Sequence, residues 1–234
     1  MIEVDRAANG LTTVTMNRPR RRNALDSQAM ADLRDAFVEA GQDADLRCLI
    51  LQGAGGGFSA GRDLKQAADL NQAEALAQHA AWGEAFKALR RLPAPSVAVV
   101  QGAAVAGGFT LSVATDFTIA ERTAKFGALE MANGFPAAMC TPILAKKAAP
   151  RIGLELAMFG TLESAERLHA AGLINRLADG PEGLAAELTA FTDHILSLDP
   201  TAVRQTLAAY RAAESQPLEQ ALTVSPGGGF EVLL

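Results

Sequence analysis

Apolar residues along this chain fall into short runs separated by glycine and proline breaks, a pattern that predicts alternating strands and helices. Residues 11–16 (Leu-Thr-Thr-Val-Thr-Met) follow the Asn9-Gly10 turn, are rich in β-branched side chains, and read as a strand that Asn17-Arg18-Pro19 ends. Behind the capping residues Asp26 and Ser27, Met30, Leu33 and Phe37 recur at helical spacing as far as Gly41. The nearly continuous apolar run at 46–51 suits a strand buried on both faces. A long amphipathic helix is predicted over 72–91, with Leu76, Ala80, Gly83, Phe86 and Leu89 on one side, and Pro93-Ala94-Pro95 breaks it. Ser96–Val100 is a second buried strand, and after a small-residue turn an apolar helix runs from about Gly108 to Ala114. Beyond Met139 helices dominate, at roughly 138–149, 151–159, 163–171, 182–197 and 200–214, punctuated by Pro142, Pro150, Gly172, Pro181 and Pro200. The expectation is a single α/β domain over residues 1–224 with a helical C-terminal third, followed by an atypical tail at 225–234.

Composition narrows the function classes. A chain of 234 residues that is 49% hydrophobic can bury a substantial core, and its 20% of charged residues keep the surface hydrated. A formal net charge of -5 does not indicate a nucleic-acid or anionic-membrane partner. Cys48 and Cys140 lie in apolar segments and read as buried, reduced thiols. No apolar run approaches the ~18 residues of a membrane span, and the N-terminal residues lack the apolar region of a signal peptide. A cytoplasmic protein is expected.

The chemistry concentrates in two glycine turns and one acid. They are Phe58-Ser59-Ala60-Gly61-Arg62-Asp63-Leu64, Gly102-Ala103-Ala104-Val105-Ala106-Gly107-Gly108-Phe109-Thr110, and Glu130 downstream. Each turn follows an apolar strand-like run and could present bare N–H groups. Two such groups aimed at one carbonyl oxygen make an oxyanion hole, and a lone carboxylate nearby is a candidate proton shuttle. Gly107 stands near a predicted helix N-terminus, where unpaired amides favour negative charge. Small residues there equally allow tight helix–strand packing, and spacing alone leaves both readings open. A surface position is the default for Glu130.

Other chemistries fit poorly. Gly53-Ala54-Gly55-Gly56-Gly57-Phe58 fails the dinucleotide fingerprint at Phe58 and lacks the Gly-Lys-Ser/Thr ending of a nucleotide-phosphate loop. His79, His169 and His194 are far apart, and no group has metal-ligand spacing. Ser59 stands in Phe-Ser-Ala-Gly rather than a hydrolase nucleophile elbow.

Five segments in register resemble the crotonase (enoyl-CoA hydratase/isomerase) superfamily. They are Asn17-Arg18-Pro19 with Asn23-Ala24-Leu25; Phe58 to Lys65; Pro95 to Asp116; Lys125-Phe126-Gly127 through Glu130; and Ser164-Ala165-Glu166 with Ala171-Gly172-Leu173-Ile174-Asn175. The resemblance implies a spiral of ββα units, assembled as a homotrimer or hexamer, that binds an acyl-coenzyme A thioester and needs no further cofactor. It assigns the oxyanion N–H groups to Arg62 and Gly107, with Ala106 in place of the family's first glycine. It implies coenzyme A contacts at Arg20, Arg22, Ala60 and Lys65.

Two departures matter. The two-glutamate hydratases carry glutamates at the positions of Thr110 and Glu130; here the first is a threonine within the acyl-CoA site, and Glu130 alone remains. That favours double-bond isomerisation. The alternatives are a one-glutamate hydratase and a non-catalytic acyl-CoA-binding or assembly subunit. The second departure is the ending Ser225-Pro226-Gly227-Gly228-Gly229, which disfavours a helix.

Overall fold

The computed structural model describes residues 1–63, 66, 71–214 and 216–222. Strands β1 (Ile2–Arg6) and β2 (Leu11–Met16) form a hairpin, and α1 (Ser27–Gln42) starts where the Asp26 carboxylate accepts the Ala29 N–H at 2.9 Å. Then come β3 (Cys48–Gly53), α2 (Gln72–Arg90), β4 (Ser96–Val100), β5 (Ala103–Val105), α3 (Gly107–Ala114), β6 (Phe117–Glu121) and β7 (Lys125–Gly127). The C-terminal part holds α4 (Cys140–Lys147), α5 (Pro150–Phe159), β8 (Glu163–Ser164), α6 (Ala165–Ala170), β9 (Arg176–Ala178), α7 (Gly180–Ser197), α8 (Pro200–Ala213) and α9 (Leu218–Ala221).

The strands build two sheets. The larger has the order β1-β2-β3-β4-β6-β9, parallel except for the β1–β2 pair, and the smaller has the order β5-β7-β8. Successive strands alternate between the layers. β4 lies in the large sheet, β5 in the small one, and α3 follows; β6 and β7 repeat the step before α4. The third such step is β3, the segment around Ser59 that bridges to Ala104 of β5, and α2. This is the spiral of ββα units that the motifs implied.

β3 is buried on both faces, as its unbroken apolar run requires. Leu49 and Leu51 join the main core with Met30, Leu33, Leu89 and Phe109, whereas Cys48 and Ile50 pack with Val97, Ile119, Phe191 and Ile195 under α7. Phe109 of α3 meets Phe126 of β7 edge-on at 6.3 Å, tying the site-bearing helix to the small sheet.

Several boundaries differ from expectation, each for a local reason. The strand expected from 46 begins at Cys48, because the Leu46 N–H turns back to the Asp43 carbonyl and the Arg47 side chain donates to carbonyls of Ile195, Leu196 and Leu198. The helix expected from 163 begins at Ala165, because Glu163 and Ser164 pair with Phe126 and Lys125, and the Ser164 hydroxyl then caps the Arg167 N–H. The helix expected over 138–149 is confined to Cys140–Lys147. β5, β7 and β9 span three residues each, too short for an alternation to show. The predicted tail at 225–234 lies outside the described residues.

Candidate active site

Three parallel chain segments end side by side. Ser59 bridges to Ala104, Ala104 is the partner of Phe126, and all three segments run the same way. The residues just beyond their C-terminal ends are Arg62, Gly107 and Glu130, so the topology gathers the three sequence candidates at one edge. Ligands of open α/β sheets bind outside the carboxyl ends of strands for the same reason.

The two glycine turns touch. Gly61 adopts φ +77, and a Cβ added to it would stand 2.5 Å from the Gly107 nitrogen. A Cβ on Gly108 would collide with the Ser59 carbonyl, and one on Gly107 with the Trp82 ring. Only glycine permits these approaches. The Leu25 N–H donates to Gly61 and the Asp63 N–H to Leu25, skipping Arg62, while Gly107 opens α3. Among the described residues neither the Arg62 nor the Gly107 N–H has an acceptor.

A polar lattice holds the first turn in place. The buried Asn23 side chain donates to the Ala54 and Gly57 carbonyls at 2.9 and 2.8 Å, and the Ser59 hydroxyl donates to the Asn23 carbonyl at 2.8 Å. Arg18 Nη1 donates to Asp63 at 2.9 Å and to Asp26 at 3.2 Å. The sequence signal for these residues was the Asn17-Arg18-Pro19 and Asn23-Ala24-Leu25 pair of motifs, which carried no stated role.

Glu130 leaves β7 and caps the short 3₁₀ turn Met131–Asn133. Its Oε2 is buried with no hydrogen-bond partner among the described residues, and burial pushes its carboxyl above the ordinary value. Met131 and Phe135, close by in the chain, are themselves 41% and 59% exposed. Cys140 is buried near enough for its thiol to feel the Glu130 charge. Desolvation lifts that thiol to about 12, so it stays protonated.

The residues from 6 to 227 match the enoyl-CoA hydratase/isomerase family model. The chain belongs to this family. It is 32% identical over 225 residues to an enoyl-CoA hydratase of Mycobacterium tuberculosis, covering 94% of this chain and 84% of that protein. It is 31% identical to a 1,2-epoxyphenylacetyl-CoA isomerase of Escherichia coli, covering 91% and 83%. A solved enoyl-CoA hydratase of Mycobacterium smegmatis superposes with a TM-score of 0.90 at 29% identity, covering 94% of this chain and 86% of that one. The protein is therefore an acyl-CoA-processing member of the crotonase superfamily, with its fold.

Of the remaining candidates in this family member, Ala60, Arg20 and Arg22 belong to stretches that meet at the first turn. Ala60 donates its N–H to the Arg22 carbonyl at 2.9 Å, which brings the Arg20–Arg22 stretch beside the first turn. The Arg20 and Arg22 side chains are exposed and make no ion pair among the described residues. Lys65 lies outside the described residues. Thr110 is fully buried, its hydroxyl donating to the Ala106 carbonyl at 3.2 Å. Among the described residues no cluster of His, Cys, Asp and Glu could hold a metal ion, and no helix is long and apolar enough to cross a membrane. Trp82, which sequence reading overlooked, packs on Gly107, with its indole N–H buried and unpartnered among the described residues.

Proposed function

We propose that this protein shifts the double bond of a 3-enoyl-CoA thioester to the 2-position. The Arg62 and Gly107 N–H groups hold the thioester oxygen, where enolate charge collects, and each such donor is worth ~2.7–4 kcal/mol of barrier. Glu130, as a carboxylate, takes a proton from C2; the electron pair moves onto the oxygen and returns through C2–C3 as the bond leaves C3–C4. The same carboxyl then gives its proton to C4 and ends ionised. No water, metal or redox partner enters the balance, and the thioester itself carries the coenzyme A.

The observation that carries this reading is the unpartnered, partly desolvated Glu130 carboxyl at the edge where the two free N–H groups meet. A raised pKa suits a group that must both accept and donate a proton. The other acid beside the turns, Asp63, is held by Arg18. Arg20, Arg22, Ala60 and Lys65 would meet the coenzyme A portion, and Thr110 would stand behind the acyl group. The relatives named as hydratases favour a second reading, in which Glu130 activates water for addition across a 2-enoyl thioester.

Self-association as a homotrimer or hexamer belongs to the same proposal. Leu154, Met158, Phe159 and Leu162 are more than half exposed on and after α5, and Gly160 brings that stretch against Met131. Incubation with 2-enoyl and 3-enoyl CoA thioesters, following bond migration and hydration separately, tests the reaction. Migration alone supports the isomerase, hydration alone supports the second reading, and neither would overturn both.

A further inference from the structure

A second concave space lies apart from the edge that carries Arg62, Gly107 and Glu130, and none of those residues lines it. The C-terminal half of α2, α4 and the last turn of α8 border a cavity of about 480 Å³, a size that suits a small molecule. Phe86, Pro142 and Ile143 give it an apolar wall. Of its charged lining residues six are cations and one, Glu214, is an acid.

The pairings leave positive charge over. Arg90 pairs with Glu214, Arg211 with Asp116 at 2.7 Å, and Lys87 with Glu84. Among the described residues neither Lys146, Lys147 nor Arg91 forms a salt bridge. Basic groups often serve the free carbonyls at helix ends. Lys147 does so, donating to the Thr115 carbonyl at 2.8 Å, and Arg211 donates to that of Leu92 at 2.6 Å. Lys146 and Arg91 are not so employed: Lys146 Nζ reaches the Glu214 carbonyl only at 3.5 Å, and the Arg91 side chain has no hydrogen bond among the described residues. Arg211 Nε is buried and without a partner among the described residues. Burial lowers the pKa of Lys147; Asp116 opposes this, and the charges of Arg90 and Arg211 add to it. Cations that disfavour one another in a half-buried space call for an anion.

We propose that this cavity binds a small organic phosphate, separately from the acyl-CoA site, and that the bound anion fastens α8 to the rest of the fold. A phosphate monoester carries nearly two negative charges and three acceptor oxygens, which suits three unpaired cations better than a single carboxylate does. Bare phosphate would leave Phe86, Pro142 and Ile143 uncovered, so the ligand has an apolar body. The consequence for α8 follows from how that helix is held. It buries none of its residues, and its attachment rests on polar contacts: Arg204 with the Ala44 and Leu46 carbonyls, Arg211 with Leu92 and Asp116, and Arg90 with Glu214. An anion between α2, α4 and Arg211 adds a bridge where apolar packing is thin.

The experiment titrates phenyl phosphate, benzoate, inorganic phosphate and coenzyme A by calorimetry into the whole chain, Lys146→Gln and Arg91→Gln. Phenyl phosphate should bind the parent about tenfold more tightly than benzoate or inorganic phosphate, and each variant should weaken it by about five- to tenfold. In the parent it should raise the melting temperature and slow amide exchange along α8. Coenzyme A should bind all three proteins alike. Benzoate or inorganic phosphate binding as tightly as phenyl phosphate would overturn the proposal, as would phenyl phosphate binding that is absent or that both variants leave unchanged. A coenzyme A affinity that falls in both variants would give the cavity to the substrate's own phosphates and overturn the separate site. Unchanged exchange in α8 would overturn the fastening. None of these measurements needs turnover, so they stand or fall apart from the reaction proposed above.

Discussion

A methyl group on Gly61 would stand 2.5 Å from the backbone nitrogen of Gly107, so two turns from distant parts of the chain meet within one contact. Gly61→Ala would push the Gly107 amide aside and strain a φ of +77. Loss of kcat on the order of 10²-fold is expected, with a fall in stability of about 1–3 kcal/mol. Steady-state turnover together with a denaturant titration checks it, and near-parental kcat would separate these turns from catalysis.

Ala106 offers the opposite change. It sits at φ 49, ψ -125, a conformation that glycine adopts at little cost and alanine does not. Ala106→Gly should stabilise the protein by about 1 kcal/mol with turnover retained. A lower melting temperature would show that the methyl contributes packing that outweighs the strain.

Glu130→Gln should abolish turnover and leave acyl-CoA binding nearly intact. It should also change the pH dependence of stability. Burial raises the folded-state pKa of Glu130 above the unfolded value, so the folded protein holds this proton to higher pH. Its contribution is full at low pH and is lost as pH rises from the ordinary carboxylate range through the raised value. The glutamine variant should lack that part of the slope in melting temperature against pH. In the parent, the acid limb of kcat should lie above the ordinary carboxylate range, since the base must be ionised.

Thr110→Glu alone places a carboxylate where exposure is zero. A loss of about 3 kcal/mol is expected. Pairing it with Cys140→Ala makes room beside Glu130 and should raise hydration relative to isomerisation. An unchanged product ratio in a folded double variant would show that the missing glutamate does not decide the reaction.

Arg18→Met removes the cation shared by Asp26 and Asp63, at 3.2 and 2.9 Å. The Arg62 turn would loosen while the distant sheet stays paired. A ten- to hundredfold drop in kcat/KM is expected, roughly, with far-ultraviolet dichroism unchanged. Full activity would show that the Asn23 and Ser59 hydrogen bonds position the turn unaided.

Where local rules suffice, the chain was legible. The Asp26 cap and the doubly buried run of β3 each follow from neighbours within a few residues, whereas the face expected for α2 did not hold: Leu76 and Ala80 are exposed, and Gln78, Trp82 and Ala85 are buried with Leu89 instead. The motif set pointed to Arg62, Gly107 and Glu130, although Glu130 on its own looked like any surface glutamate. The short strands β5, β7 and β8 were not legible, because their pairing partners lie far away in the chain.

The sequence by itself determined the helices, the buried strands and the identity of the groups available for chemistry, because propensity, capping and hydrophobic period act over a few residues. Tertiary structure alone decided that Ser59, Ala104 and Phe126 lie side by side in parallel. It also set Trp82 on Gly107 and the Asp63 carboxylate on Arg18. Those relations depend on strand pairing and helix packing between remote segments, and long-range contacts of that kind leave no period in the chain that makes them.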